Sequence, residues 1–199
     1  MGGLKFRRGI TRVALALTIA ITSVGCGSII ERREFAPDAR LRTVQAPGEE
    51  EFLAARHVVP PNAVDDRSVV LVYSTGARVV ETWGPARSAE LIVKFRARND
   101  ETVPLVMEPQ NALLVVGPNR IEPVVMRPAW IDVDDPDRYQ PDGSILVESG
   151  STADWQVEFV WSGKRDPLRR LRSFLLSWTY RVGDAAFEES TRFAAQEDG

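Results

Sequence analysis

Acidic side chains are densest in the run Asp132-Val133-Asp134-Asp135-Pro136-Asp137, followed by Asp142-Gly143. Carboxylates at such spacing supply the hard oxygen ligands that calcium takes. Asp132, Asp134, Asp135, Asp137 and Asp142 are therefore the candidate metal ligands and calcium the candidate cofactor. The run does not follow the EF-hand spacing, because Pro136 stands fifth from Asp132 and the sixth position lacks the required glycine. Two of these carboxylates would perform hydrolytic acid–base chemistry only if burial and geometry separated their roles. The competing reading is a solvated loop stiffened by proline.

Basic side chains gather at Lys164, Arg165, Arg169, Arg170 and Arg172, interrupted by Asp166-Pro167. They form a positive patch in a connection between two aromatic-rich runs, suited to lipid headgroups, an acidic polymer or a partner protein. The alternative is again a solvated loop. With one Cys and one His, the chain cannot build a Cys/His zinc cluster, a CxxC redox pair or an intramolecular disulfide framework. No G-x-S-x-G elbow, P-loop or Rossmann glycine pattern occurs. His57 reads as a surface residue of a loop or helix end. Trp83, Trp130, Trp155, Trp161 and Trp178 offer a carbohydrate-stacking platform, but their β-periodic settings favour core or edge positions.

The N-terminus has the basic start MGGLKFRR and an apolar run from Val13 to Val24, interrupted by Thr18, Thr22 and Ser23. As a helix those twelve residues would span about 18 Å, short of the roughly 30 Å of bilayer hydrocarbon. This is the pattern of a cleaved export signal over residues 1–25, the alternative being an uncleaved N-terminal anchor. The segment Ser23-Val24-Gly25-Cys26 that closes it resembles the lipobox of bacterial lipoprotein precursors. Ser23 departs from the family's usual leucine, while Gly25 and Cys26 follow it. The resemblance covers residues 1–28. It implies that Cys26 receives a diacylglyceryl group and becomes the mature N-terminus, with further acylation (palmitate) holding it in the membrane. Gly27-Ser28 lacks the aspartate that retains such proteins at the inner membrane. The implied location is the cell envelope, at the outer membrane facing the periplasm in a two-membrane organism.

Charge divides the same way. Lys5, Arg7, Arg8 and Arg12 are the only charged residues among 1–25, which leaves 21 basic against 28 acidic residues in the remainder. An exported, acidic remainder gives no basis for a nucleic-acid partner. The partners expected are membrane lipid through Cys26 and an envelope protein or anionic envelope polymer; the sequence does not set the oligomeric state. The expected role is a non-enzymatic binding or scaffolding module, the alternative being a carboxylate-dependent hydrolase or a calcium-supported module that binds carbohydrate or a surface.

The elements that must position these residues are short β-prone runs. Residues 26–48 read as the lipidated end and a polar tether, 49–66 as a short helix over Glu49–His57 plus linker, 67–195 as the folded domain, and 196–199 as a disordered tail. Within the domain the runs are Val69–Tyr73, Arg78–Trp83, Ala89–Arg98, Thr102–Glu108, Ala112–Val116, Ile121–Val125, Ile145–Glu148, Trp155–Trp161, Phe174–Arg181 and Phe187–Phe193. Ser74-Thr75-Gly76 predicts a hairpin between the first two. Trp155, Val157, Phe159 and Trp161 alternate onto one face, as do Phe174, Leu176, Trp178 and Tyr180, so two aromatic faces are expected to meet in one core. The fold class is all-β, an antiparallel β-sandwich, with a small β-barrel as the alternative.

Overall fold

The computed structural model describes residues 29–39, 41–45, 51–81, 87–128, 142–163, 167–168 and 171–196. They form an all-β fold of two antiparallel sheets packed face to face, the sandwich expected from the sequence. Neither sheet closes on itself among the described residues, so the barrel alternative does not hold.

The first sheet orders β3 (Leu41–Gln45), β4 (Glu51–Val58), β5 (Ser68–Glu81), β6 (Arg87–Asn99), β11 (Ser151–Gly163) and β9 (Val125–Pro128), with β1 (Ile29–Arg33) also paired to β5. The second orders β10 (Ile145–Val147), β7 (Leu105–Val116), β12 (Ser173–Val182), β13 (Ala185–Ala195) and β2 (Phe35–Pro37), with β8 (Asn119–Ile121) paired to β7.

The aromatic faces meet as predicted. Phe95 of β6 stacks on Trp155 of β11, with centroids 5.0 Å apart and planes within 6°. The edge of Trp178, from the second sheet, meets the same Phe95 at 5.9 Å. Phe174 continues the core through Phe193 at 4.7 Å and Phe35 at 5.1 Å. Trp155, Val157, Phe159, Leu176, Trp178 and Tyr180 are all buried, so alternation on β11 and β12 reports the core face directly.

Four expectations about the fold are corrected. Glu51–Val58 is a strand and not a helix, because it pairs with β3 on one side and β5 on the other, through Ala55↔Leu41 and Ala55↔Val72. Tertiary pairing outweighs the weak helical spacing of Phe52, Leu53 and Arg56. Most of the stretch read as a tether is also built into the sandwich: Ile29–Arg33 pairs with β5, Phe35–Pro37 with β13 and Leu41–Gln45 with β4. Among the described residues the folded unit therefore reaches back at least to Ile29, well before residue 67. At its other end the Gln196 amide, placed by the sequence in a disordered tail, donates to the Glu34 carbonyl at 3.0 Å.

Ser74-Thr75-Gly76 makes no hairpin. Strand β5 runs straight through it as a β-bulge: Ser74 pairs with Val93 and Ala77 with Leu91, so two residues on β5 oppose one on β6. Gly76 has φ +94°, and its amide donates to Ser74 Oγ at 3.0 Å. The extra residue shifts the inward parity from Val70 and Val72 to Ala77 and Val79. It also falls where the edge partner of β5 changes, since β4 covers Val69–Val72 and β1 covers Ala77–Val80.

Candidate functional site

Of the basic cluster, Lys164, Arg165, Arg169 and Arg170 lie outside the described residues, and Arg172 is exposed. The connection that carries them is fastened at two points between. Leu168 and Leu171 are buried in the main core, at 0% and 3% exposure. Their carbonyls accept hydrogen bonds from Arg33 Nη1 of β1, at 2.6 and 3.0 Å. Arg33 Nη2 pairs with Glu31 Oε1 at 3.1 Å. One guanidinium thus ties the first strand after Cys26 to the loop between β11 and β12. Cys26 itself lies outside the described residues.

Of the acidic run, Asp132, Asp134, Asp135 and Asp137 lie outside the described residues. Asp142 is exposed, and its Oδ1 accepts from the Ser144 hydroxyl at 2.7 Å and the Ser144 amide at 3.0 Å. Those two bonds, the hydroxyl first, hold its carboxyl below the usual carboxylate range. Here Asp142 caps the turn that leads into β10. Among the described residues no three His, Cys, Asp or Glu side chains converge as a metal site.

The tryptophans divide similarly. Trp155 and Trp178 are core residues, Trp161 is partly buried against the core, and Trp83 and Trp130 lie outside the described residues. For Trp155 and Trp178 burial excludes a role in a carbohydrate-stacking platform.

No family model and no curated protein matches the chain. Among solved structures, the yeast GGA1 GAE domain is similar at 15% identity, covering 72% of this chain and 99% of that domain's chain, with a TM-score of 0.30. A likeness at that level assigns no function.

The polar constellation that sequence reasoning missed is centred on His57. It is buried at 3% exposure, not on the surface, because β4 is a strand and turns this side chain toward β13 of the other sheet. His57 Nε2 lies 2.9 Å from Thr191 Oγ1, and His57 Nδ1 lies 3.3 Å from Glu189 Oε2. Trp178 Nε1 donates to the same Thr191 oxygen at 3.4 Å, and its ring meets the imidazole edge-on at 5.2 Å. Glu189 and Thr191 project from one face of β13 by their i, i+2 spacing. Glu189 borders two surface cavities, one of about 650 Å³ with Arg56 and Asp66, the other of about 310 Å³ with His57 and Thr191.

Hydroxyl, imidazole and carboxylate follow one another in the order used by nucleophilic hydrolases. Yet Thr191 is only 4% exposed and its oxygen is shared with a core tryptophan, so the row serves to satisfy polar groups between the sheets. Nothing local signals it, since 134 residues separate His57 from Thr191.

Proposed function

We propose that this chain is a lipid-anchored binding module of the bacterial cell envelope. Cys26 carries the lipid, at the outer membrane facing the periplasm where two membranes are present. The sandwich offers the basic connection Lys164, Arg165, Arg169, Arg170 and Arg172 to an acidic envelope component. The observation that carries this reading is the pair of hydrogen bonds that Arg33 donates to the carbonyls of Leu168 and Leu171. It fastens the connection at its buried leucines, so a charged surface there is supported by the core, and recognition loses less entropy than it would on an unsupported loop. The strand that supplies Arg33 begins three residues after Cys26, so a lipid there would lie close in sequence to the strand that holds the connection.

The test reverses all five charges to glutamate in the full chain and follows cross-linking to envelope components. The expected result is loss of cross-linking with an unchanged melting temperature. Undiminished cross-linking would remove the basic connection from the proposal.

A further inference from the structure

The lipid anchor and one end of the first sheet are separated by almost no chain. Ile29 pairs with Val80, Val80 with Ser88, and Ser88 with Ser162, so these four residues stand in one row across β1, β5, β6 and β11. The next pairs outward, Glu81↔Arg87 and Arg87↔Gly163, are the last of the sheet at this end among the described residues. Only Gly27 and Ser28 lie between Cys26 and that row. Three residue steps at full extension reach about 11 Å. The headgroup layer of one leaflet is roughly 5–8 Å thick.

Beyond the row, Arg87 and Arg172 set two positive charges against the one negative charge of Glu81, which the register places opposite Arg87. Arg87 closes the row and is exposed. Strand β11 leaves at this end and the chain returns as β12 through exposed Arg172. The mature chain as a whole is acidic, with 28 acidic against 21 basic residues beyond residue 25. A bilayer bearing anionic lipid would draw this end inward and repel the rest.

We infer that the domain does not stand away from the membrane on a tether but sits on it, with the Ile29–Val80–Ser88–Ser162 end of the first sheet and Arg87 in the phospholipid headgroup layer. The inference rests on the lipid-anchored reading above, and it names the acidic component as the anionic leaflet itself.

The test uses the full lipidated chain in phosphatidylethanolamine/phosphatidylglycerol vesicles that contain a headgroup spin-labelled lipid. Cys26 is the chain's single cysteine, and its thiol is consumed by the lipid, so a fluorophore reacts only at a Ser162→Cys or a Ser149→Cys substitution. Ser149 is exposed in the turn at the opposite end of β11. The expected result is several-fold stronger quenching at position 162 than at position 149. A flexible twenty-residue Gly/Ser insert between Ser28 and Ile29, with a root-mean-square reach of about 25 Å, should weaken quenching at 162, and R87E should weaken it further. Intact mass separates the two ideas. Absence of lipid on Cys26 overturns the anchored reading and this inference with it. Lipid on Cys26 with equal quenching at 162 and 149 overturns this inference alone, leaving the basic end to a protein or polymer partner.

Discussion

Arg33 Nη1 donates to the Leu168 carbonyl at 2.6 Å across 135 residues of sequence. The contact joins the first strand of the fold to the connection that carries the basic cluster, and it is a charge-assisted bond to a backbone group that has left both sheets. Arg33→Gln should cost about 1.5–3 kcal/mol, the range for hydrogen bonds to charged groups, and should speed trypsin cleavage between residues 164 and 172. Urea unfolding and timed proteolysis check both parts. Arg33→Lys should recover less than half of the loss, since an ammonium lacks the planar fork of guanidinium donors.

Gly76 holds the same junction from the opposite side. Its φ of +94° disfavours any L side chain, and an added Cβ would stand 3.0 Å from the Arg33 carbonyl. Gly76→Ala should therefore destabilise by about 1–3 kcal/mol, with an unchanged urea m-value if the fold is otherwise kept.

His57 clamps the two sheets. Removing its ring in His57→Ala leaves Glu189 and Thr191 short of a buried partner and opens a void, with an expected cost of about 2–4 kcal/mol. A double-mutant cycle with Glu189→Gln should give a coupling of about 0.5–3 kcal/mol. Additive effects would mean that the 3.3 Å approach contributes nothing.

Tyr180 sets an alkaline limit. Burial first, and then the Glu189 charge, push its phenol well above the ordinary 10.0. Above about pH 10 the unfolded chain loses this proton while the folded chain keeps it, so the unfolded state binds fewer protons and stability falls as pH rises. The Tyr180 hydroxyl is buried without a hydrogen-bond partner among the described residues. Tyr180→Phe should consequently leave stability at pH 7 within about 0.5 kcal/mol of the parent or raise it, and should flatten the decline above pH 10. Thermal melts from pH 7 to 11 check the sign.

The parts of this fold that were legible in the sequence are those that depend on local alternation. Trp155, Val157 and Phe159 fall inward because a strand has period two, and the same holds for Phe174, Leu176, Trp178 and Tyr180. Ser74–Gly76 reads as a hairpin for a physical reason: a bulge and a hairpin turn both accommodate a short polar residue and a glycine at positive φ, and only pairing of Ser68–Ser74 and Ala77–Glu81 with the same strand β6 distinguishes them. Glu51–Val58 has equally weak local preferences, and its state is set by β3 and β5 on either side. The surface position expected of His57 follows from that helix, on which it would have no register with Thr191. Of the acidic and basic clusters, Asp142 and Arg172 fall within the described residues, and neither sequence period nor spacing signals the tie from Arg33 to Leu168 and Leu171.

The lipid proposed on Cys26 is tested most directly by the intact mass and N-terminal peptide of membrane-extracted protein beside a Cys26→Ser variant. The expected chain begins at Cys26 and is heavier by a diacylglyceryl group and any further acyl chain, with this processing lost in the variant. An N-terminus that retains residues 1–25, or a chain cleaved without lipid, would contradict it.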